Sequence, residues 1–472
     1  MTGPQLSRRR LLSSAGLLGL GIAAPGVLAA CSSSSSGGTS NVKDAAKATG
    51  NVTFWIDITG AANQKYFTDN VIGTFEKAYP KIDVKVTYYQ GQNLRQEVQT
   101  ALQARSGPDI VRGPSATQTI AWSKAHVLAD LTPYASQWGW DNDLASWAVN
   151  AFTIDKKLYA LPMRVDTMML YYNKTLFAQK GWSQPQSRSD LEALAAEAAG
   201  AGIVPFGSSN VDWTAAGEWL MTMFWNNFSG PDAVYKALTG EVQFTDPVFV
   251  DAVALLKSYF DKGWVGGSTQ KYFSVPSAEI GANFGKGKVA MIPQGEWYMS
   301  NVGQFFGTKA GNDNDWDWMP MPPLSASVQP DCFAMGVGGS FAINEFSKNP
   351  DAAADFLNWY YGNKTAALAR MSDVDATYNI PITFSDSEIP AKTDPRAARV
   401  LTSLNKAISS GNYGYVTWTW WPPKSDTFVY QGLEQVLTNK MTPAAYCQQL
   451  ATLFTQERQE GDIPAIMPRT AG

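Results

Sequence analysis

Val52-Thr53-Phe54-Trp55-Ile56, Ile82-Asp83-Val84-Lys85-Val86 and Asp109-Ile110-Val111 decide the fold class. The first and second are rich in β-branched and aromatic residues, and the second alternates apolar and charged positions as a half-buried strand does. The third is short enough to read as a buried strand. Amphipathic helical patterns separate them. Asn70–Tyr79 puts Val71, Phe75 and Ala78 on one face and stops before Pro80, and Leu94–Ala104 does the same with Leu94, Val98, Ala101 and Leu102. A third helix is expected over Thr117–Lys124. Strands alternating with helices of this length predict crossover units, hence an α/β class with parallel sheets.

The alternation continues along the chain. Strands are expected at Met168–Tyr172 and Val289–Ile292. Ser189-Asp190 reads as the cap of a helix over Leu191–Ala199, and Asp246 opens one over Pro247–Phe260. Asn349-Pro350-Asp351 starts a helix through Tyr360, and further helices lie at Leu433–Leu437 and Pro443–Gln456. There is no short internal repeat. A chain of 472 residues exceeds one ordinary core, so two lobes are expected.

The N-terminus reads as an address. Ser7-Arg8-Arg9-Arg10-Leu11-Leu12 forms a basic region, an uncharged apolar run follows, and Leu28-Ala29-Ala30-Cys31 precedes Ser32–Ser36. Ser-Arg-Arg-x-Leu-Leu resembles the twin-arginine export signal. Leu-Ala-Ala-Cys resembles the bacterial lipobox, whose cysteine is cleaved to the N-terminus and acylated, with palmitate among the chains. The expectation is a signal peptide over residues 1–31, a flexible Ser/Gly-rich tether over 32–50, and lipidation at Cys31. The protein would then be lipid-anchored at the extracytoplasmic face of a bacterial membrane. A single membrane-spanning helix is the alternative, weakened by Gly16, Gly19, Gly21, Pro25 and Gly26.

Charge narrows the partners. The formal net charge is −4, and loss of Arg8, Arg9 and Arg10 with the signal takes it to about −7. No basic tract exists, so no nucleic-acid partner is expected. Beyond Cys31 only Cys332 and Cys447 remain, which is no disulfide framework; Cys447 falls in a helical pattern where a small buried apolar residue belongs. One histidine, His126, reads as surface, and scattered cysteines give no zinc spacing, so no metal or cofactor is expected. Tryptophan is abundant, at 17 residues. Large folds bury many aromatics, but flat apolar faces also suit sugar rings, whose C–H faces stack while their hydroxyls take hydrogen bonds.

Several stretches, in order, resemble one family: the extracellular solute-binding lipoproteins of ABC importers of the maltose-binding type. They are Ser106-Gly107-Pro108-Asp109-Ile110-Val111, Leu128-Ala129-Asp130-Leu131-Thr132-Pro133-Tyr134, Leu158-Tyr159-Ala160-Leu161-Pro162 and Leu170-Tyr171-Tyr172-Asn173-Lys174. Phe284-Gly285-Lys286-Gly287-Lys288-Val289-Ala290-Met291 and Gly338-Gly339-Ser340-Phe341-Ala342-Ile343 complete the set. The resemblance implies a type II periplasmic-binding-protein-like fold: two α/β lobes joined by three hinge crossings, near Asp166, Val337 and Pro390, with the ligand cleft between them. Lobe one would comprise 51–165 plus 338–390, and lobe two 166–337 plus 391–472. It implies a monomer that captures a sugar or oligosaccharide and delivers it, by lobe closure, to the transmembrane subunits of an ABC permease with their ATPase.

Candidate ligand-binding residues follow from strand ends and from the resemblance. Ligands of open α/β sheets sit beyond the carboxyl ends of strands. That selects Trp55, Asp57, Thr59 and Gly60 after the first strand, and Arg112, Gly113, Pro114 and Ser115 around the third. Arg164 and Asp166 lie at the first expected crossing; a carboxylate there accepts from two hydroxyls, or else pairs with the arginine. The resemblance implies stacking platforms at Trp213, beside Asn210, and at Trp297, beside Glu296. Gly338 is expected to permit close backbone approach, and Tyr378 joins the set. Trp418, Trp420 and Trp421 cannot all point inward on a strand of period two, so one should face a ligand or another loop.

Other functions are open to the residues alone. Asp57, Asp166 and Glu296 could serve glycoside hydrolysis, which needs two carboxylates about 5–10 Å apart. A polyol, a glycerophosphodiester or a short peptide could replace the sugar. A cell-surface adhesion module fits poorly, since those are mostly β-sandwiches. No phosphate loop is present, so no ATP hydrolysis by this chain is expected.

Overall fold

The computed structural model describes residues 48–372 and 379–469. The expected export signal, Cys31 and residues 32–47 of the expected tether lie outside the described residues, and so does Tyr378; Gly50, expected in the tether, begins the first strand. Among the described residues, no helix is long and apolar enough to cross a membrane.

In chain order the strands are β1 (Gly50–Ile56), β2 (Ile82–Tyr88), β3 (Ile110–Ser115), β4 (Thr153–Ile154), β5 (Lys157–Leu158), β6 (Leu161–Pro162), β7 (Val165–Asp166), β8 (Met168–Asn173), β9 (Val204–Phe206), β10 (Val289–Gly295), β11 (Trp316–Met319), β12 (Phe333–Ile343) and β13 (Tyr413–Tyr415). They form two main sheets and the small β4–β5 hairpin. The first sheet runs β13-β12-β3-β1-β2, with β6 and β7 also paired to β12. The second runs β11-β8-β10-β9.

The sheets are mixed rather than parallel throughout. β1 pairs parallel with β2 on one side and β3 on the other, because a helical crossover returns the chain to the same end of the sheet each time. β12 arrives from the second sheet and runs antiparallel to β3, with Ser340 opposite Gly113. β8 follows β7 after the single residue Thr167 and pairs antiparallel with β10 and β11. Every residue of β8 and β12 is buried, as expected for central strands covered on both faces.

Helices fall close to their expected places, with instructive shifts. The first extends over Ala61–Ala78, its middle turn Phe67–Ile72 wound as a π-helix. The helix expected from Leu191 is capped by Ser187, not Ser189-Asp190: Ser187 Oγ accepts from the Asp190 N–H at 3.3 Å, and the helix covers Arg188–Gly200. Asp246 caps Pro247–Asp261 as expected, accepting from the Val248 N–H at 3.1 Å. The helix expected from Leu433 begins at Pro423.

The tryptophan-rich stretch is not a strand. Thr417–Trp420 makes one helical turn before Pro423–Leu437. Trp420 ends the turn and Trp421 follows it in extended backbone, and this change of backbone lets both point inward with 0% exposure. Trp420 Nε1 donates to the Met335 carbonyl at 2.7 Å. Trp421 lies flat on Trp225, ring centroids 5.6 Å apart and planes 2° from parallel, with Phe244 and Tyr446 around them. This cluster joins the helices Pro247–Asp261, Pro423–Leu437 and Pro443–Gln459. Cys332 and Cys447 are buried and unpaired, and burial pushes each thiol up to about 12. His126 is exposed and takes a positive φ of 54° at a helix end.

Truncating Trp421 removes a filled stack that cannot collapse. Trp421→Ala is expected to lose about 3–5 kcal/mol of stability, read from denaturant unfolding.

Candidate functional site

A cavity of about 310 Å³ opens beyond the carboxyl ends of β1 and β10, flanked by the end of β3. Its walls come from both sheets and their helices. Asp57 and Thr59 follow β1, Arg112 and Ser115 belong to β3, Arg164 and Asp166 border β7, and Trp297 follows β10. Trp213, Glu218, Trp219, Trp418 and Asp426 close the far side. Another cavity, about 360 Å³ between Trp318, Arg399 and Asn412, gathers none of the candidate residues.

Asp166 is the best-anchored group in the cleft. It is 2% exposed, and both carboxylate oxygens are taken by protein. Arg164 Nε donates to Oδ1 at 2.6 Å and Trp418 Nε1 donates to Oδ2 at 3.0 Å. The pairing with Arg164 is present, and about two of the carboxylate's roughly four acceptor positions remain in a residue that lines the cavity. Gly338 explains why the carboxylate fits: a Cβ there would sit 1.9 Å from both Asp166 oxygens. Gly338 thus makes room for Asp166 and does not line the cavity.

Glu296 also stands behind the cleft. It is 3% exposed, its Oε2 accepts from the Thr167 N–H at 2.9 Å, and Oε1 lies 3.7 Å from Arg164 Nε. Burial, helped by the charge of Asp166 and opposed by Arg164, raises its carboxyl well above the usual range. For Arg164, burial works against the charge, but Asp166 and Glu296 outweigh it and hold the guanidinium protonated.

Tryptophans supply the apolar wall. Trp297 packs against Trp219 at 5.6 Å and Trp418 at 5.9 Å, and the Arg164 guanidinium lies 5.4 Å from its ring. Gln294 Oε1 accepts from Trp297 Nε1 at 2.9 Å and fixes the ring. The indole folds back over Gly295, where a Cβ would lie 2.1 Å from it. Trp213 approaches the opposite wall, 3.8 Å from where a Gly91 Cβ would be. On that wall Arg112 Nε and Asp57 Oδ1 form an ion pair at 2.9 Å.

Other candidates are placed elsewhere. Trp55 is half-buried against Tyr89, ring centroids 5.4 Å apart, and does not line the cavity, whereas Asp57, one residue past the end of β1, does. Gly113 lies inside the sheet, where a Cβ would meet Ser340 Oγ at 2.4 Å. Asn210 spends its amide on Glu434 Oε1 at 3.0 Å. Trp420 and Trp421 are core. Four charged groups in the cavity wall, Arg95, Glu218, Arg370 and Asp426, escaped sequence reading, as did Trp219. One signal was present: Glu218 is the lone acid in the apolar run Ala216–Phe224.

Comparisons with known proteins agree on one family. The model of the bacterial extracellular solute-binding proteins matches residues 57–367. The multiple sugar-binding protein of Streptococcus mutans is 24% identical over 53% of this chain, and the match spans 62% of that relative's length, under two thirds. The maltodextrin-binding protein of Bacillus subtilis is 24% identical over 78% of each chain. A solved chitin oligosaccharide binding protein superposes with a TM-score of 0.71 at 18% identity, covering 86% of this chain and 98% of that one. The architecture is therefore the two-lobed α/β fold of type II periplasmic binding proteins, and the chain belongs to the bacterial extracellular solute-binding protein family.

Proposed function

We propose that this protein is the substrate-binding component of an ABC importer and captures a sugar or oligosaccharide in the cleft. The observation that carries the reading is the pairing of apolar and polar walls. Trp219, Trp297 and Trp418 form one side, while Asp57, Arg112 and Arg164 present charged groups nearby. A sugar needs both, since its ring faces stack and its hydroxyls demand partners. The named relatives bind multiple sugars and maltodextrin, which favours the same ligand class.

Binding without hydrolysis is part of the proposal. Asp166 is held by Arg164 and Trp418, and Glu296 stands behind the cleft without lining it, so the pair does not flank a bound sugar as two hydrolytic carboxyl groups would. The lobes, 51–165 plus 338–390 and 166–337 plus 391–472, close on the ligand by a population shift, and the closed monomer docks on the permease. Lipid at Cys31 and the tether over 32–50 keep it beside that permease, with the twin-arginine route exporting a chain already folded.

A thermal-shift screen over mono-, di- and oligosaccharides tests the ligand class, since binding to the native state raises the melting temperature. At least one sugar should raise it, and chromatography of the same mixture should show that sugar intact. Trp297→Ala should weaken that sugar by roughly 1–3 kcal/mol in calorimetry; unchanged affinity removes Trp297 from the site. Small-angle scattering should show a smaller radius of gyration with the sugar bound, and an unchanged radius counts against closure. In a bacterial host, Cys31→Ser should move the protein from the membrane fraction to the soluble one.

A further inference from the structure

Arg370 reaches the cavity wall from the helix Lys364–Met371 and is 6% exposed. One residue anchors it from behind. Arg370 Nη2 donates to the Tyr360 carbonyl at 2.5 Å, and the guanidinium carbon lies 4.3 Å from the centroid of the Tyr360 ring. Tyr360 sits in the last turn of the helix Pro350–Gly362, where carbonyls lack intrahelical donors. Its ring packs edge-on against Phe341 of β12, centroids 5.5 Å apart, which ties the guanidinium to the first sheet.

Serving that helix end takes one donor, and a neutral one would do. Arg370 brings a cation with further N–H groups. Nη2 is spent on Tyr360, and Nε is buried without an acceptor. Nη1 makes no bond to the described residues and is not closed off as Nε is. The charge is unmatched as well. Arg112 pairs with Asp57 at 2.9 Å and Arg164 with Asp166 at 2.6 Å, while Arg370 forms no ion pair among the described residues. Arg95, the remaining arginine of the wall, is half-buried and so open to water. A buried guanidinium with no counter-charge is costly, and a ligand that brings one relieves that cost.

We infer that Arg370 reads an anionic group of the ligand through Nη1, and that the sugar taken into the cleft carries a carboxylate, as a uronic acid does. The inference rests on the sugar reading and narrows its class. A carboxylate fits better than a phosphate, since one charge matches one guanidinium and a phosphate dianion calls for a second unpaired cation. Uronic acids keep the C–H faces that stack on tryptophan, so the apolar wall serves them equally. Tyr360 holds the guanidinium in place before the ligand arrives, so little entropy is lost in ordering it.

Matched pairs of sugars test it: D-glucose with D-glucuronate, D-galactose with D-galacturonate, and galactobiose with digalacturonate. Each is titrated by calorimetry at pH 7 into wild type, Arg370→Gln and Arg370→Lys. In at least one pair wild type should bind the acidic member roughly tenfold tighter or more. Arg370→Gln should bring the two affinities together, and Arg370→Lys, which keeps the charge, should preserve the order. Neutral members binding as tightly as acidic ones overturn the inference and leave the sugar reading intact. A preference that survives in Arg370→Gln also overturns it. If the melting curve shows that Arg370→Gln does not fold, Arg370→Lys decides, and equal affinities there overturn it. Asp373 and Asp375, the next acids in the chain, lie outside the described residues. The double variant Asp373→Asn, Asp375→Asn should show the wild-type preference; a preference found only there makes those acids the partners of Arg370 and overturns the inference. No binding in any pair overturns it too, and the wider sugar screen then judges the sugar reading on its own.

Discussion

The carboxylate of Asp166 is the point on which the rest of the structure depends. It ends β7, one residue before the chain leaves the first sheet for β8 of the second. One oxygen holds Arg164 and the other holds Trp418, so the strand end, the cleft arginine and the helical tryptophan turn are fixed by one group. Only glycine at position 338 leaves space for it, on β12, the strand that spans the first sheet. Burying this carboxylate without its two donors would be costly, which ties the local geometry of the cleft to the integrity of the sheet.

From that anchor the cleft acquires a division of labour. Acids that look available in sequence are used to hold other groups: Asp166 and Glu296 support Arg164, and Arg164 in turn lies over Trp297. The ring of Trp297 is locked from behind by Gln294 and accommodated by Gly295. Pre-ordered side chains lose little entropy on binding, so such a wall suits recognition.

Much of the fold was legible because helix and strand periods are local properties. β1, β2, β3, β8 and β10 and most helices lie near their expected positions. The sense of pairing was not legible. Parallel order holds where a helical crossover separates neighbours, while β12 and β8 enter from another sheet and pair antiparallel. The tryptophan turn shows the same limit. A strand period required one indole to face outward, and a helical turn followed by an extended residue buries Trp420 and Trp421 and gives the cleft Trp418 alone.

Sequence by itself determined the α/β class, the family resemblance and the strand-end loops that carry Asp57, Arg112, Arg164 and Asp166, because each rests on residues near one another in the chain. It also singled out Trp213 and Trp297, which reach the cavity. Only the tertiary structure decided which groups are open to a ligand. It turned Trp55 against Tyr89, gave Asn210 to Glu434, and brought Glu218, Asp426 and Arg95 into the lining of one cavity. These residues meet across helices far apart in sequence, and the partner of a buried polar group is chosen by packing, which no local pattern encodes.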